Sequence, residues 1–146
     1  MIIEGYLFPD DLLYDKRHFW AKVEGDVVTV GMTEYAVKSA GDLVFVEPVE
    51  PGKKTIQDKP FMSVESGKWV GRVYAPVSGS VIEFNEELEF DPTLVNQDPY
   101  GAGWLAKLKM DNPAELDNLM GADTVGNWFI PELTRLRKLE AKKTGG

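Results

Sequence analysis

The chain has 146 residues with 24 acidic and 16 basic side chains, and its net charge of −8 argues against a protein that binds nucleic-acid phosphates. Its 43% hydrophobic and 11% aromatic residues are ordinary for one globular domain, and no apolar run is long enough to cross a membrane. With no cysteine and one histidine, neither a thiolate metal site nor a two-histidine zinc site can form, so we expect no metal centre. The first ten residues lack a secretory signal, which predicts a cytoplasmic protein.

Strand signals dominate the first three quarters of the chain. Short segments rich in β-branched and aromatic residues alternate with glycine-containing turns, a pattern typical of a compact sandwich or barrel. The predicted strands are 19–24, 27–30, 43–47, 61–64, 71–74, 81–85 and 104–110.

Helices are predicted at fewer places. Thr33 is a candidate N-cap for a helix that Gly41 ends. Residues 85–96 predict irregular turns, and 112–120 predicts a helix with a capping box that pairs Asn112 with Glu115.

The carboxyl-terminal segment has a different charge from the rest. Residues 132–146 carry five basic and two acidic side chains, whereas residues 1–131 carry 11 basic and 22 acidic ones. Leu133, Leu136 and Leu139 recur at helical spacing, which predicts a helix packed by one face on the body. A docking site for an acidic partner is the alternative interpretation.

Residues 61–74 predict a β-hairpin with a lysine at its tip. Two strand-like halves flank residues 65–69, and the turn-forming Ser66 and Gly67 precede Lys68. A loop tip projects from a rigid scaffold, so an enzyme could reach and modify this amine. The sequence around the hairpin, with a strand pair of similar type on each side, is the layout of lipoyl and biotinyl carrier domains.

Five segments, in order and with compatible spacing, resemble the H-protein family of the glycine cleavage system; they are residues 28–36, 41–47, 64–68, 75–79 and 95–105. The resemblance implies a mainly β fold, a lipoyl-domain-like flattened barrel or sandwich (a barrel-sandwich hybrid) with short helices and a C-terminal helix. It implies one domain, 1–146, with a core at about 13–120 and a helical extension at 121–146. It also implies lipoate joined by an amide bond to Lys68 by a lipoate-attaching enzyme, and a carrier, expected as a monomer, without catalytic residues of its own. Glu65 is a family feature that either helps that enzyme recognise the hairpin or is a solvated charge at the end of a strand.

Three positions depart from the family pattern near the lysine. Gly67 and Trp69 flank Lys68 where valine and alanine are usual, and Arg72 stands where the family has an acid. Phe19, after His18, replaces the glutamate that faces an aminomethyl group in the family. An aromatic, cationic surface suits an anionic or sulfur-bearing cargo better than an amine.

These departures resemble the lipoate-binding subset of sulfur-oxidising organisms. Our leading expectation is therefore a carrier of sulfur intermediates that works with a heterodisulfide-reductase-like complex, with Trp69 and Arg72 shaping the resting place of the arm. The alternative is a glycine-cleavage carrier that shuttles an aminomethyl group between a decarboxylase, an aminomethyltransferase and dihydrolipoyl dehydrogenase. A third possibility is an unmodified interaction module. His18 is expected to be a framework residue rather than a proton carrier.

Overall fold

The computed structural model describes residues 1–144, and we number its elements in chain order. The strands are β1 (Ile2–Ile3), β2 (Tyr6–Leu7), β3 (Leu13–Tyr14), β4 (Phe19–Glu24), β5 (Val27–Met32), β6 (Leu43–Val46), β7 (Lys54–Thr55), β8 (Pro60–Ser66), β9 (Val70–Tyr74), β10 (Gly79–Phe84), β11 (Ala106–Met110) and β12 (Met120–Gly121). The helices are α1 (Glu34–Ala40), α2 (Glu87–Phe90), α3 (Leu94–Gln97), a 3₁₀ helix (Pro113–Asn118) and α4 (Val125–Thr144).

Two sheets enclose the main core. The larger sheet has the order β12-β3-β4-β5-β11-β10-β7, and the smaller has the order β6-β8-β9. Inward residues of both sheets, such as Val28 and Leu108 from the first and Val64 and Val73 from the second, are fully buried against each other. The mainly β fold with short helices and a C-terminal helix is confirmed, but the sheets of the described residues do not close into a barrel.

The predicted strands are all present, with ends shifted by a few residues, and α1 forms as predicted. The Thr33 side chain accepts a hydrogen bond from the Ala36 backbone at 3.2 Å, and Gly41 ends the helix with φ 81°. A positive φ at this position suits glycine, which has no side chain to clash.

The prediction of a helix with a capping box at 112–120 is wrong. Asn112 accepts from the Ala114 backbone at 3.1 Å, but the Glu115 carboxylate accepts from the backbone and hydroxyl of Ser78, each at 2.8 Å. The segment is a 3₁₀ helix that ends at Asn118, because Glu115 ties it across to the turn before β10. The irregular turns predicted at 85–96 contain two single-turn helices, α2 and α3.

A second apolar cluster fastens α4 to the outer face of the larger sheet. Val125, Phe129 and Leu133 of the helix are buried against Phe8 and Trp20. The leucine stripe holds only in part, since Leu133 is buried, Leu136 is half-buried and Leu139 is 46% exposed. The predicted extension runs to residue 146, and its last two residues lie outside the described part of the chain.

Candidate functional site

The lysine predicted at a hairpin tip lies at one. β8 and β9 pair in antiparallel register up to Glu65 and Val70, and the Ser66 backbone donates to the Trp69 carbonyl at 2.8 Å to close the turn. The Ser66 side chain accepts from the Lys68 backbone at 3.3 Å. These bonds fix the turn, so that the lysine is presented from a rigid support.

The amine of Lys68 is accessible. The residue is exposed, and within residues 1–144 its amine forms no ion pair. Its side chain extends towards the end of α1, where a Cβ placed on Gly41 would lie 3.3 Å from Lys68 Cε and 3.9 Å from Nζ. An accessible and unpaired amine on a rigid tip fits covalent attachment of a lipoyl group.

A cleft of about 670 Å³ lies between the hairpin, α1, the loop before β4 and α4. Its lining includes Lys16, Arg17, His18, Phe19, Tyr35, Ala40, Trp69, Arg72, Tyr74, Glu132, Arg135, Leu136 and Glu140. Four of the predicted site residues, His18, Phe19, Trp69 and Arg72, therefore meet in one cavity. The other four predicted site residues, Glu65, Ser66, Gly67 and Lys68, do not line it.

His18 forms part of the floor and is held in an unusual conformation. Its φ of 72° lies in the left-handed region, and its ring contacts Tyr35 and Trp128 with centroids 4.8 and 5.0 Å away. Burial lowers the pKa of His18 to about 4, although the nearby Glu132 carboxylate works in the opposite direction. The imidazole is therefore neutral at physiological pH, as a framework residue requires.

Asp15 holds the loop that carries these residues. One of its oxygens, Oδ1, accepts from the backbones of Arg17 at 2.8 Å and Phe19 at 3.0 Å. Its Oδ2 is buried without a hydrogen-bond partner in the described structure, and burial raises the pKa of Asp15 to about 6.

Trp69 lies in the turn and reaches the cleft by folding over β9, the strand that follows it. Its ring covers Gly71, where any side chain would overlap the indole, and the residue remains 39% exposed. On β9, Arg72 has no ion-pair partner within residues 1–144. Arg17, in contrast, pairs with Asp58 at 3.3 Å and stacks on the ring of Tyr74.

Sequence reasoning missed the contribution of α4 to the cleft. Glu132 and Arg135 form an ion pair at 2.6 Å, and Leu136 and Glu140 extend the same wall. The spacing of Glu132 and Arg135 at i and i+3 signals a pair on one helix face. No local signal indicates that this face lines the same cleft as the hairpin, because the position of the helix depends on the second apolar cluster.

Two features are absent from the described residues. No group of three or more histidine or acidic side chains in residues 1–144 could hold a metal ion. No helix in the same range has both the length and the apolar content needed to span a bilayer.

Comparison with known proteins identifies similar chains. The family profile described as "Glycine cleavage H-protein" matches residues 12–129. A glycine cleavage system H protein of Staphylococcus carnosus (strain TM300) is 51% identical over 115 residues, which cover 79% of this chain and 91% of the relative. Glycine cleavage system H protein 4 of Aquifex aeolicus (strain VF5) is 40% identical over 138 residues, which cover 94% of this chain and 80% of the relative.

A solved structure has a similar fold. The crystal structure of a glycine cleavage system H protein from Mycobacterium marinum matches with a TM-score of 0.70 and 35% sequence identity. The match covers 80% of this chain and 94% of that chain. Sequence and structure comparisons therefore agree on one family.

Proposed function

The chain belongs to the glycine cleavage H-protein family, and from this membership we propose that it is a lipoyl carrier of the glycine cleavage system. Lys68 is the attachment point in this proposal. The observation that carries it is the exposed, unpaired amine at the hairpin tip. The proposed partners are a lipoate-attaching enzyme, the glycine decarboxylase, the aminomethyltransferase and dihydrolipoyl dehydrogenase.

The lipoyl group, when attached, supplies a disulfide that can be reduced and a sulfur that can hold the aminomethyl cargo. The chain's own residues present and shelter this group. Ser66 and Trp69 fix the turn, while the rigid hairpin keeps Lys68 available to successive partners at high local concentration. The cleft beside the hairpin, with the rings of Phe19, Tyr35 and Trp69 in its lining, excludes water from what it covers.

The dimensions of the cleft support this proposal. Lys68 lies at the Gly41 end of α1, and the His18 ring contacts Tyr35 near the other end, with centroids 4.8 Å apart. The helical rise between Tyr35 and Gly41 is about 9 Å. The lipoyl chain beyond the lysine nitrogen also extends about 9 Å at ordinary bond lengths. An arm laid along α1 therefore brings its sulfur atoms to the neighbourhood of His18.

The comparisons favour the glycine-cleavage alternative over the sulfur carrier that we expected from the sequence. The relatives described above carry the glycine cleavage name, and none of them supports a role with a heterodisulfide-reductase-like complex. The expectation rested on Phe19 and Arg72, which do line the cleft. The side chains of Phe19 and Arg72 offer no hydrogen-bond acceptor, so in a glycine-cleavage carrier the acceptor for the amine has to come from another group of this chain.

Intact-mass measurement tests the proposal directly. The protein is incubated with a lipoate-protein ligase, ATP and lipoate, then with glycine decarboxylase and ¹³C-labelled glycine. We expect a lipoyl mass increment and then an aminomethyl increment. Lys68→Arg should abolish both, whereas Lys59→Arg, at another exposed lysine, should abolish neither. A lipoyl increment that survives Lys68→Arg would contradict the attachment point. A lipoyl increment that is not followed by an aminomethyl increment would contradict the pathway.

A further inference from the structure

The cleft lacks an acid on β4 but has two on α4. Phe19, the first residue of β4, offers an apolar ring. The carboxylates among the lining residues belong to Glu132 and Glu140, both on α4. An ammonium group placed in a partly buried cleft needs an acceptor, because its desolvation is otherwise uncompensated. A cargo that bears an amine therefore has to find its acceptor on α4 or among neutral groups.

Glu132 has a free acceptor atom in a defined position. Its side chain is 17% exposed, and its Oε1 accepts from Arg135 Nε at 2.7 Å while pairing with the NH2 nitrogen at 2.6 Å. Both contacts use the same oxygen. The other oxygen, Oε2, makes no hydrogen bond within the described residues. Arg135 thus orients the carboxylate and leaves one oxygen available.

Glu132 also lies at the end of the cleft where the cargo would be. The His18 ring contacts Trp128 and Phe129 of α4 with centroids 5.0 and 6.3 Å away, and Glu132 follows Trp128 by four residues on the same helix face. The rise along α1 places this end about 9 Å from the Gly41 end, where the amine of Lys68 lies. That separation matches the extension of a lipoyl chain beyond the lysine nitrogen, also about 9 Å.

Other charges line the cleft and have to be weighed. They are Lys16 and Arg17 from the loop before β4, Arg72 from β9, and Arg135 and Glu140 from α4. Arg17 is engaged by Asp58 and Tyr74. Arg72 lies on β9, on the hairpin side of the cleft, and is exposed, so solvent screens its charge. Arg135 is the cation that contacts Glu132, and it uses only one of the two carboxylate oxygens.

We propose that Glu132, oriented by Arg135, is the carboxylate that receives the amino group of the cargo. This inference rests on the proposed function, and it assigns the role to a helix residue beyond the segment that the family profile matches, which ends at Phe129. In this chain the acceptor comes from α4 instead of β4. Glu132 is then a residue that determines which cargo the cleft holds.

A stable mimic of the cargo tests the assignment. The lipoylated protein is reduced and its two thiols are alkylated with ¹³C-labelled 2-bromoethylamine; each alkylation forms a carbon–sulfur bond and releases bromide and a proton. The chain has no cysteine, so thiol alkylation is confined to the arm. The pKa of the attached amines is then read from their ¹³C shifts in a pH titration.

The variants are expected to move this pKa in opposite directions. Glu132→Gln should lower it by about one unit, because a carboxylate stabilises the ammonium form. Arg135→Gln should raise it, because Glu132 is 17% exposed and stays in the cleft without its partner. The loss of a cation beside the amine then outweighs the looser orientation of the carboxylate. Glu89→Gln, an equal charge change on the exposed surface of α2, should leave it unchanged. A general disturbance of α4 cannot produce opposite shifts.

The outcomes separate this inference from the proposed function. Lack of a lipoyl mass increment at Lys68 would overturn both. A lipoylated arm whose amine pKa is the same in the wild type, Glu132→Gln and Arg135→Gln would overturn the inference and leave the carrier function intact. A shift of the amine pKa in the same direction by both substitutions would also overturn the inference and leave the carrier function intact.

Discussion

Two glycines beside tryptophan rings allow a matched test of whether the burial of a tryptophan decides the cost of a clash with it. A Cβ on Gly31 would overlap the ring of Trp20, its cross-strand partner, and a Cβ on Gly71 would overlap the ring of Trp69. The local clash is of the same kind at both positions. The outcome of an alanine substitution therefore depends on whether the tryptophan can move away.

The structure gives different magnitudes for the two substitutions. Trp20 is 2% exposed and donates from Nε1 to the Pro99 carbonyl at 3.0 Å. Overpacking costs about 1–3 kcal/mol and the lost hydrogen bond about 0.5–1.5 kcal/mol, so Gly31→Ala should destabilise the protein by about 2–4 kcal/mol. For a chain of this size that lowers Tm by about 5–15 °C. Trp69 is 39% exposed and can rotate into solvent. Gly71→Ala should therefore change the free energy of unfolding by less than about 0.5 kcal/mol.

Calorimetry and NMR together check the pair. The chain has four tryptophans, so its indole N–H resonances can be assigned individually. Gly71→Ala should shift the Trp69 resonance and leave Tm within about 2 °C of the wild type. Comparable losses of Tm in both variants, or an unmoved Trp69 resonance in a stable Gly71→Ala protein, would refute the reasoning that burial decides the result.

Two further predictions concern stability. Burial lowers the pKa of His18 to about 4 and raises that of Asp15 to about 6, so acidification from pH 6.5 to 4.5 costs stability at His18 and adds stability at Asp15. Asp15→Asn should therefore lose about 2 kcal/mol more than the wild type over that interval in urea unfolding, and equal losses would contradict the assignment. Glu115→Ala should cost about 1–3 kcal/mol, because it removes two charge-assisted bonds to Ser78. Asp117→Ala, on the same 3₁₀ helix but exposed, is the control and should cost less than about 0.5 kcal/mol in the same assay.

Features determined by local chemistry could be predicted from the sequence. The turn formers Ser66 and Gly67 between two strand-like halves are sufficient to place Lys68 at a hairpin tip. Thr33 and Gly41 likewise mark the ends of α1. In each case the residues that determine the structure are neighbours along the chain.

Features determined by contacts between distant segments could not be predicted from the sequence. Glu115 has the spacing of a capping box, but Ser78, 37 positions away, offers its carboxylate two donors. The presence of Glu132 and His18 in one cleft depends on how Phe129 packs in the second apolar cluster. The lining residues of the cleft were therefore found only in part, with the hairpin side predicted and the helix side missed.

The two walls of the cleft are held in place by different apolar clusters. The hairpin strands belong to the main core, whereas α4 is fastened by Val125, Phe129 and Leu133 to the other cluster. Substitutions on the cleft-facing side of the helix can therefore retune selectivity while the presentation of the lysine stays constant. Such a division makes α4 an exchangeable module, through which one scaffold could acquire new chemical preferences during evolution or by design.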